Sequence, residues 1–331
     1  PLVTEAERNP HAGRPFRDGD AAIARALEDV SVPALLASLV HMTGDPSWIR
    51  GAWRPLGGGP NALEGGMPPE QQAAVRKAAL PVIAAYRDAG CQPKPLSREL
   101  LAEMMAFVAC RELPKRQEEL FFFDLQFDGA ARARITWGDE IDDAVKADSP
   151  VVVIGAGMAG IHAGIRLSQA GLPFTIVEKN AGPGGTWYEN RYPGARVDVA
   201  SHQYCYAFEP ADHWSEYYCQ HPELRAYFTR VLDGHGLRPH CRFEAEVTGA
   251  TWDDATARWS LGVRYADGTE EVLEARFVIS AVGSLNIPRM PVIPGIESFA
   301  GPSFHSTRWP EDFDHRGLRF ALLGAGASGF Q

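Results

Sequence analysis

A chain of 331 residues, 45% hydrophobic and 10% aromatic, is long enough for two ordinary globular domains with substantial cores. Its formal charge of −10 and a pI near 5.5 exclude the basic surface that a nucleic-acid partner needs, so any anion site must be local. The five cysteines (Cys91, Cys110, Cys205, Cys219, Cys241) form no Cys-x-x-Cys pair, so neither a metal site nor a disulfide framework is expected, and a reducing, cytoplasmic setting fits best. Apolar runs such as 35–40 and 151–154 are far too short to span a bilayer, and no leader pattern precedes them, so no membrane partner is expected. The first residue is Pro1 rather than Met, which suggests a partial chain.

Residues 1–147 read as a mostly helical extension. Residues 20–30 and 32–39 are short apolar-periodic stretches, and 71–88 places Val75, Ala79, Val82, Ile83 and Tyr86 at helical spacing before Gly90 ends the helix. Ser97 is the expected N-cap of a helix running to Cys110, with Leu100, Leu101, Met104, Met105 and Val108 on one face toward a core. The glycine run at 57–60 and the Met67-Pro68-Pro69 segment read as loops. With no strand before the glycines and no helix directly after them, they are not a phosphate cradle.

From Pro150 the pattern changes to strand, glycine turn, helix, strand, the unit of a Rossmann-like α/β domain, here spanning 148–298. Gly155, Gly157 and Gly160 follow the apolar strand 151–154 and open a helix that Gly171 and Pro173 close. The glycines would give the tight turn, the approach of a pyrophosphate to the backbone, and close packing of helix on strand. The helix N-terminus would then face the phosphates. A second strand, 174–177, ends at Glu178, where a carboxylate can accept ribose hydroxyls. Residues 241–250, 257–264 and 270–280 alternate as strands, with Ala266-Asp267-Gly268 as a hairpin turn, and suggest an antiparallel excursion from the parallel sheet. One near-repeat occurs: 152–160 is echoed by 321–329, where Gly324, Gly326 and Gly329, with Ser328, follow a strand expected at 320–323.

The glycine fingerprint alone fits NAD or FAD equally well. The loop after Glu178 decides more: Gly184-Gly185-Thr186-Trp187-Tyr188-Glu189-Asn190-Arg191-Tyr192-Pro193-Gly194-Ala195-Arg196-Val197-Asp198 is aromatic, polar and glycine-rich where a plain dehydrogenase would begin a crossover helix. Farther on stands Phe299-Ala300-Gly301-Pro302-Ser303-Phe304-His305-Ser306-Thr307-Arg308-Trp309-Pro310. Together these resemble the signatures of the Baeyer–Villiger flavin monooxygenases, Gly-Gly-x-Trp-x-x-x-x-Tyr-Pro-Gly-x-x-x-Asp and Phe-x-Gly-x-x-x-His-x-x-x-Trp-Pro. The resemblance implies an FAD site made by Gly155, Gly157, Ala159, Gly160, Glu178, Gly185, Thr186, Trp187, Asp198, Tyr204 and Val247, with the 280–283 turn passing the cofactor. It implies contacts to NADP from Arg196, Val197, Gly324, Gly326, Ser328 and Gly329. Asp198 takes the catalytic role, beside the flavin and toward an arginine farther along the family's chain. His305 is read as part of a linker, 299–318, that joins two nucleotide domains, with Trp309 as its packing anchor. The other histidines, including His202, His213 and His221, show no ligand spacing.

The implied reaction consumes NADPH, O2 and a ketone and yields an ester or lactone through a C4a-peroxyflavin. The Val32-Pro33-Ala34-Leu35-Leu36, His41-Met42-Thr43-Gly44-Asp45 and Trp53-Arg54-Pro55 segments resemble the N-terminal extension of the 4-hydroxyacetophenone branch, which implies aryl ketones and a role in packing or in a homodimer interface. Residues 319–331 hold only the start of an NADPH domain, so that site is expected to be incomplete and the isolated chain inactive. Two other readings stay open: a flavin monooxygenase that oxygenates nitrogen or sulfur, and a non-catalytic FAD-binding or dimerisation fragment.

Overall fold

The computed structural model of the chain describes residues 15–57, 64–125, 135, 137–211 and 214–331. These fall into two compact units, one within Glu5–Arg132 and the other within Ala133–Gln331. Residues 58–60 of the glycine run, and His213, lie outside the described residues.

The first unit is helical. Helices α1 (Asp20–Asp29), α2 (Val32–Thr43), α3 (Ser47–Arg50), α4 (Pro69–Asp88), α5 (Arg98–Val108) and α6 (Lys115–Leu125) enclose a core that includes Leu36, Leu39, Val75, Ala79 and Met104. The ends obey local chemistry. Ser97 Oγ accepts the Leu100 N–H at 3.2 Å, as expected of the N-cap, and Gly44 and Gly90 take left-handed backbone at two helix exits. Glu64 joins two elements: it accepts the N–H of Val32 at 2.9 Å and a guanidinium N–H of Arg76 at 2.6 Å. The expected helices are all present within a few residues of their sequence limits, while α3 and α6 were not anticipated.

In the second unit a four-stranded parallel sheet has the order β3-β2-β1-β7, from β1 (Val151–Ile154), β2 (Phe174–Val177), β3 (Cys241–Arg242) and β7 (Phe277–Ser280). A separate antiparallel sheet, β4 (Ala245–Asp253), β5 (Arg258–Tyr265) and β6 (Glu270–Ala275), lies between β3 and β7 in the chain. Leu261, Val263, Ala245 and Ala275 of this sheet pack on Val152 and Val177 of the first. Two stretches read as single strands are therefore corrected. The 241–250 strand breaks where Glu244 adopts φ 55°, and the 270–280 strand breaks at Arg276, whose N–H turns to the carbonyl of Pro150. At each break the chain passes from one sheet to the other.

Around the parallel sheet stand α7 (Asp143–Ala147), α8 (Met158–Ala170), α9 (Thr186–Glu189) and α10 (His221–Gly234). Helix α10, not anticipated from the sequence, buries Leu224, Tyr227, Phe228, Val231 and Leu232, and is a main part of the core against Ile161 and Ile165. The unit also takes in residues N-terminal to the 147/148 boundary expected from sequence, because Gly138 packs on the Ala170 backbone at the end of α8. The strand expected at 320–323 does not form. Phe320, Leu322 and Leu323 are 54–65% exposed and join no strand among the described residues, and a strand exists only by pairing. A last turn, α11 (Ala327–Phe330), follows Gly326. Among the described residues no helix is long and apolar enough to cross a membrane.

Candidate functional site

The site begins where β1 turns into α8. Gly155 has φ 105°, and a Cβ there would stand 2.7 Å from the carbonyl oxygen of Ala281, so this position admits only glycine without a shift of backbone. Gly160 meets the same turn from within the helix: its Cβ would stand 1.8 Å from the carbonyl oxygen of Gly155. Gly157 is the N-cap and provides no side-chain cap, so the first N–H groups of α8, including those of Met158 and Ala159, face outward without a side-chain acceptor.

The loop after β2 comes to this helix end. Gly184 donates its N–H to the carbonyl of Ala156 at 3.0 Å, and a Cβ on Gly185 would lie 2.9 Å from the Cα of Gly157. Glycines from two separate loops thus bring two stretches of bare backbone together, and no side chain of either glycine fills the space between them. Thr186, exposed, opens α9 and accepts the Asn190 amide at 3.0 Å. Trp187 donates its indole N–H to the hydroxyl of Tyr204 at 3.2 Å, with the rings edge to face at 5.5 Å, and makes a half-buried aromatic wall. Burial raises the Tyr204 phenol above its usual range. The Trp187 hydrogen bond opposes this, and the negative charge of nearby Asp198 adds to it. Asp198 itself is exposed and has no ion-pair partner among the described residues.

Glu178 is 4% exposed and its carboxylate is already in use. Oε2 accepts the Ala156 N–H at 2.7 Å, and Oε1 accepts the backbone and side-chain amides of Asn180 at 2.9 and 2.7 Å. With about four lone-pair sites on a carboxylate, one is left for a ligand hydroxyl. The residue therefore pins the glycine turn and keeps one acceptor position open. Val247 stands apart from the glycine loops, on β4 opposite Val263, packed with Val152 and Val177.

Of the residues expected at the second nucleotide, Arg196 is bonded to the chain's last residue, Gln331. Gln331 accepts the Arg196 N–H at 3.3 Å and the Tyr192 hydroxyl at 2.7 Å, and returns its side-chain amide to the Arg196 carbonyl at 3.0 Å. Val197 is in the core with Cys219 and Leu224, its N–H bound to the Cys219 carbonyl. Ser328 is exposed at the start of α11. The second glycine turn reproduces the first: Gly324 has φ 125°, Gly326 is an N-cap with φ −79° and ψ 175° against −80° and −170° at Gly157, and a Cβ on Gly329 would stand 2.9 Å from the Gly324 oxygen.

Several residues that the sequence did not single out complete the arrangement. The hydroxyl of Tyr206 donates to the carbonyl of Met158 in the first turn of α8, and that of Tyr227 accepts the Tyr206 N–H at 2.9 Å and donates to the Glu209 carbonyl at 2.7 Å. Arg225 and Arg191 lie over the ring of Tyr188 at 4.3 and 4.9 Å, bracing the loop. Arg191 also pairs with Glu311, and Arg308 with Glu189, so the 299–318 segment is tied to the loop by two ion pairs. His305 caps its own turn, its Nδ1 accepting the Thr307 N–H at 3.2 Å, and Trp309 packs edge to face with Phe304 and Phe313. Among the described residues no group of three or more His, Cys, Asp or Glu is placed to hold a metal ion.

The family of NAD(P)-binding Rossmann-like domains matches residues 153–220, the stretch from β1 through the glycine loops. The chain is 41% identical over 182 residues to a Baeyer–Villiger monooxygenase of Streptomyces coelicolor, covering 55% of this chain and 34% of that protein. Over these residues the chain is similar to Baeyer–Villiger monooxygenases. An uncharacterized monooxygenase, y4iD, of Sinorhizobium fredii is 32% identical over 314 residues, covering 93% of this chain and 46% of its own length. That alignment is too long to fit within 133–331 and so extends through the helical unit. A crystal structure of OTEMO in complex with FAD and NADP superposes with a TM-score of 0.51 at 40% identity, over 55% of this chain and 35% of that one. The chain thus spans less than half the length of these relatives.

Proposed function

We propose that this chain forms the FAD-binding side of an NADPH-dependent Baeyer–Villiger monooxygenase acting on aryl ketones. The observation that carries the reading is the meeting of Gly157 and Gly185 at the uncapped start of α8, beside the Trp187–Tyr204 wall. A dinucleotide fits this place: its pyrophosphate needs bare N–H groups and a close backbone, and its ring needs an apolar flank. The relative crystallised with FAD and NADP supports that choice of cofactors. When bound, the flavin supplies the oxygen chemistry, drawing electrons from NADPH.

The chain's own groups then bind and orient. The N–H groups of 157–159 and of 185 and 186 hold the phosphates, and the remaining acceptor site of Glu178 takes a ribose hydroxyl. Trp187 and Tyr204 exclude water from one side. Asp198, exposed at the edge of that wall, sets a negative charge where an arginine brought by the rest of the polypeptide can pair with it. The overall balance is ketone, O2, NADPH and a proton to ester or lactone, NADP+ and water. The match to y4iD, which runs into the helical unit, supports reading that unit as an extension carried by a monooxygenase, and its role here is to pack within the enzyme or between subunits.

The test has two stages. FAD is titrated into the purified chain and followed by loss of flavin fluorescence; then a polypeptide of the relatives' length carrying this chain is given NADPH and an aryl ketone, and products are identified by mass. Saturable FAD binding and an ester product support the proposal. An N-oxide or S-oxide from amine or sulfide substrates, with no ester, would replace it. Replacing Asp198 by Ala in the long form should leave FAD content unchanged and lower ester formation about tenfold or more.

A further inference from the structure

The polar contacts leading out of Glu178 extend beyond what a nucleotide site requires. Asn180 Nδ2 donates to Glu178 Oε1 at 2.7 Å and also reaches Glu189 Oε1 at 3.3 Å. The Glu189 side chain is 8% exposed and stands between Lys179 Nζ at 2.8 Å and an Arg308 guanidinium N at 3.4 Å. Burial alone would raise the Glu189 carboxyl, yet its bonds to Lys179 and Asn180 and the Arg308 charge bring it below the usual carboxylate range, so it stays ionised. Lys179 donates in turn to Asn286 at 2.7 Å. A continuous path thus joins the carboxylate at the end of β2 to the 299–318 segment.

We infer that Asn180 and Glu189 are positioning residues that couple occupation of the Glu178 site to docking of the linker at Arg308; this rests on the FAD reading above. The amide of Asn180 has two hydrogens, and it serves both carboxylates only while each holds its present position. A ligand hydroxyl on the free site of Glu178 fixes one of them. That steadies Asn180, hence Glu189, hence the place where Arg308 binds. Removing Arg308 leaves the buried Glu189 with Lys179 alone as its counterion and frees Oε2, which strains the path from the far end. Coupling is reciprocal: whatever the bound nucleotide adds to linker docking, linker docking adds to nucleotide affinity.

The experiment measures FAD affinity of the chain by flavin fluorescence for the unaltered protein, Arg308→Gln, Glu189→Gln, the double variant, and Arg316→Gln as a control. Arg316 pairs with Asp314 inside the same segment, is 84% exposed, and touches nothing on the path. Arg308→Gln and Glu189→Gln should each raise Kd about threefold to fivefold, the double variant no more than the larger single one, and Arg316→Gln should leave Kd unchanged. Hydrogen exchange of peptides covering 299–318 should slow when FAD binds the unaltered protein and not when it binds Arg308→Gln. Equal affinity for Arg308→Gln and the unaltered protein, or additive losses in the double variant, overturns the coupling while leaving the nucleotide site standing. Failure of the unaltered chain to bind FAD overturns both.

Discussion

Replacing Gly160 by alanine tests whether the first fingerprint is built by contact with its own backbone. The new methyl would stand 1.8 Å from the Gly155 carbonyl oxygen and 2.9 Å from its carbon. Close C···O contacts run at about 3.3 Å, so something must move by roughly 1.5 Å. Neither side gives easily: the Gly155 N–H is held by the Val177 carbonyl at 2.8 Å and the Ala156 N–H by Glu178 at 2.7 Å. Overpacking of this kind costs about 1–3 kcal/mol or more, and the better helix propensity of alanine returns about 1 kcal/mol. Because the obstacle is backbone, a net loss of about 2 kcal/mol is expected, or roughly 4–8 °C in Tm for a unit of this size. Gly164→Ala in the same helix is the comparison. Its methyl meets side chains alone, the tips of Ile176 and Leu237 at 2.8 and 3.2 Å, which can rotate aside, and the Phe174 ring at an ordinary 3.4 Å, and its net change should stay within about 1 kcal/mol. Calorimetry of the three proteins decides. A Gly160→Ala protein as stable as the parent, or less perturbed than Gly164→Ala, would refute the reasoning.

Two further outcomes concern buried polar groups. Tyr227→Phe removes the partner of both the Tyr206 N–H and the Glu209 carbonyl, and should cost about 2 kcal/mol by urea unfolding, with the m-value unchanged. His162 and His221 are both held below their usual titration range, each mainly by burial, with Arg166 adding at the first and Arg191 and Arg225 at the second. A folded pKa below the unfolded value means that the unfolded chain takes up the proton first. Their contribution is therefore fully present above about pH 6.5 and is lost as pH falls below it. Tm should be level from pH 8 to 7 and decline toward pH 5, with a shallower decline in His221→Gln; a Tm that rises on acidification would contradict this.

How far the sequence could be read depended on the range of the contacts involved. Gly155, Gly157, Gly160 and Glu178 were legible because a strand, a glycine spacing and a strand end lie within one short βαβ stretch, and the Trp187 loop and the 299–310 segment carried a recognisable signature. The Ser97 cap was equally local. The break at Glu244 was not legible, since a left-handed backbone at a glutamate has no Gly or Pro to announce it. Residues 320–323 have the composition of a strand, but pairing is decided by neighbours elsewhere. Helix α10 was missed although its Leu224, Tyr227, Phe228, Val231 and Leu232 recur at helical spacing, a signal that was present and unused. The path from Asn180 to Arg308 joins residues more than a hundred positions apart, and no local pattern marks either end as the other's partner.

Of the two glycine turns, Gly155–Gly160 stands on a strand buried in a sheet, whereas Gly324–Gly329 follows residues that join no strand among the described residues, yet both close on themselves in the same way. Shape here is intrinsic to a half-dozen residues and does not wait for the tertiary frame. Such a segment can fold on the timescale of loop closure, early enough to act as a seed on which a strand and helix later register. It is also portable: moved to another chain between any apolar strand and helix, it would carry its anion-facing amides along with it.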